Sequence, residues 1–251
     1  MRTRHQAVLS LALLYVLVLC GLAMVGPLRV AGAYLRDLIQ GSGRVIRQNR
    51  PVTAFHAVQV TGIGELEAVQ GTDHSLVVEA EDNLGPLFEC EVRDGCLRIR
   101  LEQDARIRPT RPVRFLVSAK KLDRIELTGA ATARLSALRG DSLDVSVVGA
   151  SKAEITEIDV RELSTKAAGA STVRVTGQTD RQTVSLTGAS RFQGGELRSG
   201  TAVVNTGGAS AATVRVENTL TASARGASSI SYRGNPKVTA TTSGPSRISG
   251  E

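Results

Sequence analysis

A glycine returns at a nearly fixed step through the second half of the chain. Gly129, Gly149, Gly169, Gly188, Gly208, Gly226 and Gly244 follow one another at intervals of 20, 20, 19, 20, 18 and 18 residues. Most stand in a Gly-Ala-Ser corner, as in "VVGAS" (Val147–Ser151) and "LTGAS" (Leu186–Ser190). Self-similarity at so short a period is the mark of a solenoid, in which one repeat is one turn of chain and cannot bury its apolar side alone.

The residues around each glycine define the kind of solenoid. Apolar residues stand four and two positions before it: Ile125 and Leu127, Val145 and Val147, Val184 and Leu186, Ala222 and Ala224. They recur four and six positions after it: Ala133 and Leu135, Ala153 and Ile155, Val173 and Val175, Ile230 and Tyr232. Polar residues fill the gaps, which is strand periodicity. Each repeat therefore reads as two short strands flanking a tight corner, plus a third, connecting side. Stacking equivalent strands about 4.8 Å apart pairs their backbones and closes a narrow core. Aromatic residues make up only 3% and Trp is absent, so that core must be built from Val, Leu, Ile and Ala. The pattern predicts an all-β chain, a parallel β-helix with coils of 18–20 residues. Glycine suits a corner that needs positive φ or lacks room for Cβ.

A serine follows most of these corners. Ser151, Ser171, Ser190, Ser210, Ser228 and Ser246 are expected to stack as a ladder. Their hydroxyls either bond corner backbone groups or form a surface ladder for a sugar or another ordered partner. The first reading is favoured, because small turn-formers are what a corner requires in any case.

The N-terminus has a different character. Arg2 and Arg4 precede an apolar run from Ala7 to about Val25. Its length is near the roughly 20 residues that span a bilayer and exceeds the usual signal-peptide core. A signal anchor is favoured; "AGA" (Ala31–Ala33) keeps a cleaved signal peptide open. Leu19 stands before Cys20, where a lipoprotein signal wants a small residue. Either reading puts the remaining chain outside the cytoplasm. The expected organisation is a signal anchor or signal peptide over 1–33, a linker over 34–50, a β-rich head capping the solenoid over 51–119, and the repeat β-helix over 120–251. A cap is needed because an open coil end is an adhesive strand edge.

In the head, "FECEVRDGCLRIRL" (Phe88–Leu101) carries Asp-Gly, the strongest short hairpin signal. A two-residue turn at Asp94-Gly95 pairs Phe88 with Leu101, Cys90 with Ile99, Val92 with Leu97 and Arg93 with Cys96. That register collects an apolar face and puts Cys96 on the opposite one. No Cys90–Cys96 disulfide is expected, despite the oxidising compartment.

The formal net charge is +7. The arginines are scattered; Arg106, Arg108, Arg111 and Arg114 come nearest to a cluster and prolines interrupt them. The aromatic platforms of single-strand binders are missing, so no nucleic-acid partner is expected.

Several stretches, taken in order, resemble one family. They are "GSGRVIRQNRPVTAFHAVQVTGIGELEAVQG" (Gly41–Gly71), "VVEAEDNLGP" (Val77–Pro86) before the Asp-Gly hairpin, the repeated corners, and "YRGNPKV" (Tyr232–Val238). Together they are similar to the bacterial "putative auto-transporter adhesin, head GIN domain" family, over about Gly41–Glu251. The resemblance implies a right-handed β-helix of the cell envelope, often behind a lipoprotein signal or membrane helix. The family's corners usually read Ser-Gly-Ser-Gly-Asp. Here Ala130, Ala150, Ala170, Ala189, Ala209 and Ala227 intrude, and Lys152, Thr172 and Arg191 stand where the acid would be, which argues against cation binding by stacked acids.

Motifs for chemistry are sparse. The three histidines, His5, His56 and His74, are dispersed, whereas a metal needs several converging ligands. No P-loop or nucleophile elbow is present. No cofactor is expected, nor catalysis. The expected function is a non-catalytic cell-envelope β-helix presenting a surface to a protein or a glycan, with the membrane contacted through the N-terminal segment. The alternative is a polysaccharide-active lyase or hydrolase, since such enzymes also use β-helices. Glu79, Glu81 and Asp82, in "EAEDN" (Glu79–Asn83), would be its carboxylates. A signalling role through the cytoplasmic end is disfavoured, because the few residues before the apolar run cannot fold.

Overall fold

The computed structural model describes residues 38–251, so the expected signal or anchor over 1–33, His5 and Cys20 lie outside the described residues. Among the described residues no helix is long and apolar enough to cross a membrane. The described chain is almost all β, wound as a solenoid of about six turns.

The head supplies β1 (Ile39–Gln40), β2 (Val45–Arg50), β3 (Ala57–Gln70), β4 (Ser75–Glu81), β5 (Phe88–Arg93), β6 (Cys96–Leu101), β7 (Ile107–Arg108) and β8 (Arg114–Ala119). The repeats supply β9 (Arg124–Ser136), β10 (Arg139–Gly149), β11 (Lys152–Gly169), β12 (Thr172–Leu186), β13 (Arg191–Thr206) and β14 (Ala211–Arg225). The last turns are β15 (Ser229–Arg233), β16 (Lys237–Ser243) and β17 (Arg247–Gly250). Consecutive coils pair in parallel from β9 to β17.

The expected inward positions form continuous columns that are apolar except at Thr165. One runs Val58, Ile125, Val145, Thr165, Val184, Val204 and Ala222. Another, after the corner, runs Leu66, Ala133, Ala153, Val173, Phe192, Ala212 and Ile230. All of these residues are buried. The third side is itself a strand. In β11 the pairing with β12 slips between Ile155 and Ile158, resumes through Val160 and continues from Glu162. The slip falls at Glu157, whose φ is 58°, so a bulge turns the strand without ending it.

The solenoid begins earlier than the sequence period shows. Strand β3 lies against β9 in parallel register from Ala57/Arg124 to Val69/Ser136, with Gly62 opposite Gly129. It is therefore a coil, and residues 71–123 are inserted between it and the next one. That insertion covers its other edge. Hairpin strand β6 pairs with Ala57–Thr61, and β8 pairs with Glu65–Gln70. Antiparallel β4 and β2 extend the cover beyond β8. Two strands, Ile39–Gln40 and Val45–Arg50, lie inside the segment expected to be a linker over 34–50.

The hairpin has the expected register, with Phe88, Cys90, Val92 and Arg93 opposite Leu101, Ile99, Leu97 and Cys96. Asp94 and Gly95 both have positive φ, 53° and 71°, as a type I′ turn requires. Cys90 and Cys96 are free thiols. Burial pushes both thiols above the ordinary cysteine value.

Candidate functional site

The corner is the most repeated local structure. All seven sequence-identified glycines have φ between 75° and 110°, as does Gly62 at 108°. Space is as restrictive as conformation: a Cβ on Gly169 would sit 2.6 Å from the Gly149 carbonyl oxygen of the preceding coil. The carbonyls of Gly129, Gly149, Gly169 and Gly188 each meet both a backbone N–H and a serine hydroxyl of the next coil. The Gly149 oxygen accepts from Ala170 N–H at 2.8 Å and lies 3.2 Å from the Ser171 hydroxyl.

The serines lie inside the molecule. Ser151, Ser171, Ser190, Ser210 and Ser228 are at most 2% exposed, and Ser246 is half-buried. The serine column is thus an internal ladder, and the less favoured reading of a surface ladder does not describe it. The reason is geometric: each hydroxyl faces two carbonyls, one in its own corner and one in the preceding coil. Ser190 Oγ is 2.8 Å from Thr187 O and 3.4 Å from Gly169 O. Ser210 Oγ is 2.7 Å from Gly207 O and 3.2 Å from Gly188 O. The one hydroxyl proton is shared between two carbonyls, and the preceding coil's glycine carbonyl already accepts the next corner's alanine N–H, so the serine adds a second link between coils.

The acidic stretch is also committed to structure. Glu81 is fully buried. Its carboxylate accepts from Gly43 N–H at 2.7 Å, Thr110 N–H at 2.9 Å and the Thr110 hydroxyl at 2.5 Å. The Thr110 hydroxyl and the backbone N–H groups of Thr110, Gly43 and Arg111 outweigh burial and hold its carboxyl below the ordinary glutamate value. Glu79 pairs with Arg47 at 2.7 Å. Asp82 accepts from the Ser42 hydroxyl at 2.5 Å and lies 3.4 Å from Arg44. The three acids therefore staple the head.

The two described histidines are apart. His56 Nδ1 is 2.8 Å from Asp123, which also meets Lys121 at 3.1 Å. Burial pushes the Asp123 carboxyl up, but hydrogen bonds and charge from His56 and Lys121 leave it below the ordinary value. His74 Nδ1 lies 3.4 Å from Phe55 N–H, and the two rings meet edge to face. Among the described residues no group of three or more His, Cys, Asp or Glu is placed to hold a metal ion.

What remains is the outer surface. An open groove of about 480 Å³ crosses successive coils and is lined by Asp141, Asp159, Arg161, Asp180, Arg198 and Glu217, among others. The outward column bordering it runs Arg139, Asp159, Gln178, Arg198, Arg215 and Arg233. The sequence reading missed this column, because its members are 17–20 residues apart and align only once the coil registers are known. It also missed Gly62. "VQVTGIGELEA" (Val58–Ala68) does match "IELTGAATARL" (Ile125–Leu135) in its inward apolar positions, but the insertion hides the period.

The fold and these arrangements define a class: a β-solenoid whose polar residues are spent on corners and caps and whose repeating outer faces are left to solvent. The chain belongs to the family described as "Putative auto-transporter adhesin, head GIN domain", whose model matches residues 54–236. Solved structures share the fold. A putative adhesin from Bacteroides fragilis NCTC 9343 superposes with a TM-score of 0.81 at 21% identity, over 85% of this chain and 100% of that one. A putative adhesin from Parabacteroides distasonis ATCC 8503 gives 0.68 at 17% identity, over 86% and 100%. A putative lipid binding protein from the same organism gives 0.67 at 16%, over 86% and 100%. No curated protein matches the chain.

Proposed function

We propose that this chain is a non-catalytic interaction module of the bacterial cell envelope, which presents its solenoid faces to an envelope protein or a glycan. The observation that carries this reading is the fate of the acidic residues: Glu79, Glu81 and Asp82 are tied to Arg47, to Gly43 and Thr110, and to Ser42 and Arg44. Membership in an adhesin-named family supports a surface-interaction role. In this reading residues 1–33 deliver the chain across the inner membrane, as an uncleaved anchor or a removed signal. Residues 51–119 act as the head, whose β3 starts the solenoid, and 120–251 form the repeats. The winding is right-handed, the hand favoured when parallel strands of one sheet are joined by crossovers.

The test is twofold. The soluble domain, used as bait on native envelope extract, should retain a protein or polysaccharide. A panel of acidic polysaccharides incubated with it should show no cleavage. Turnover that disappears in Glu79→Ala or Asp82→Ala would replace this reading with the enzymatic one.

A further inference from the structure

The outward column through the third side of the coils changes character along the solenoid. Its first members alternate: Arg139 beside Asp159, and Asp159 beside Gln178, whose amide donates to it at 3.0 Å. Its last three are Arg198, Arg215 and Arg233 in direct register on β13, β14 and β15. Neighbouring strands are about 4.8 Å apart, so the backbones of the three arginines lie within about 10 Å along the stack. Like charges placed directly opposite destabilise a sheet. Exposed ion pairs relieve only the two ends: Arg198 meets Glu217 at 3.3 Å and Arg233 meets Glu251 at 2.7 Å. Arg215, between them, is exposed and its guanidinium has no partner among the described residues.

The surroundings repeat this bias. Residues 181–251 carry eight Lys or Arg and three Asp or Glu, a net of +5. All three of those acids already face an arginine. Around the bend from the column stand Asn218 and Asn235, then Thr201, Thr219 and Lys237, the last three in register on the adjoining side. Thr219, Lys237 and both asparagines are exposed, and none of these five side chains has a hydrogen-bond partner among the described residues.

We infer that the arginine column Arg198–Arg215–Arg233 is a binding stripe for an acidic polysaccharide. The inference rests on the interaction-surface reading above and names the partner's chemistry. A guanidinium accepts a carboxylate or sulfate through paired N–H groups. A chain laid along the solenoid axis would meet one arginine per coil and so relieve the repulsion between them. The asparagine amides and threonine hydroxyls next to the column match sugar hydroxyls. A nucleic acid fits less well: Tyr232, the aromatic beside the column, is partly buried against the core, and a single aromatic is not the run of platforms a single-strand binder uses.

The test uses the soluble chain with polygalacturonate (carboxylated), heparin (sulfated), dextran (neutral) and duplex DNA, at low salt and at about 0.15 M. The stripe predicts binding to at least one acidic polysaccharide, weakened by salt, with none to dextran and weaker binding to DNA. Whichever polyanion binds more tightly identifies the anionic group. Arg215→Gln should weaken binding about tenfold, and Arg198→Gln with Arg215→Gln further, given the strength of charge-assisted pairing. Arg191→Gln removes the same charge from a different column and should leave affinity within about twofold. Circular dichroism checks that each variant is folded. Unchanged affinity in folded Arg215→Gln overturns the stripe, as does equal loss in Arg191→Gln, or DNA bound as tightly as the polysaccharides. Absence of binding to any acidic polysaccharide overturns it too; capture of an envelope protein by the same domain would then leave the broader reading standing.

Discussion

At the corner, each coil is constrained by the one before it. Gly169 has φ 87° and no room for Cβ under the Gly149 carbonyl. Gly169→Ala combines a left-handed backbone with a clash against backbone, and should cost about 3 kcal/mol. The neighbouring Ala170 is exposed, and Ala170→Ser should stay within about 0.5 kcal/mol. Ser171→Ala falls between them: it removes the donor 2.8 Å from Ala168 O and 3.2 Å from Gly149 O, at about 1 kcal/mol. Denaturant unfolding of the three variants should rank them in that order; a tolerated Gly169→Ala would mean that the corner is looser than its geometry. Alignment of the sequence on these glycines found the corner, but it could not say which way the serine points. A hydroxyl suits both a wet surface and a buried carbonyl, and only the coil register brings the second carbonyl within reach.

Along the strands, sequence alternation carried most of the fold, because inward positions must be apolar in every coil. The exceptions are informative. The column Leu143, Leu163, Gln182, Ala202, Leu220 places an amide among aliphatic side chains. Gln182 is 1% exposed; its Nε2 donates to Ser199 Oγ at 2.7 Å, while its Oε1 is buried without a partner. Gln182→Leu restores the aliphatic column at similar volume and removes the unpaired carbonyl. Ser199 keeps its own bond to Arg215 O at 2.8 Å. The substitution should therefore stabilise by about 1 kcal/mol, a rise in Tm of about 2–4 °C for a chain of this size. A fall in Tm would show that the amide is needed where it stands. The first coil was not legible for a different reason. Strand β3 has the alternation and the Thr61-Gly62 corner, but 53 inserted residues, 71–123, separate it from its neighbour. A period is visible only where nothing interrupts it.

At the scale of the whole molecule, the two ends of the stack are held differently. Beyond β14 the stack thins to β15, β16 and β17, and every residue of β16 is exposed. At the other end the edge of β3 is covered, and the buried carboxylate of Glu81 is one of that cover's fastenings. Glu81 joins the end of β4 to Gly43, between β1 and β2, and to Thr110, between β7 and β8. Its carboxyl is held below the ordinary value of 4.5 by these bonds, so the folded head prefers the ionised form. The stability it contributes is then fully present above pH 4.5, and is lost as the pH falls through the lower folded value. Asp123, held low by His56 and Lys121 where the insertion rejoins the repeats, adds in the same direction. The corners of the repeats are closed by serine hydroxyls and backbone amides, which do not titrate there. Acid should therefore release the head before the coils. Hydrogen exchange followed from neutral pH down to about pH 3, corrected for intrinsic rates, should show β1, β2 and β7 losing protection while β11 to β13 keep theirs. Glu81→Gln should show the same early loss already at neutral pH, with little further change on acidification. Simultaneous loss across head and repeats would mean that the carboxylate fastens the entire stack, not just its cover.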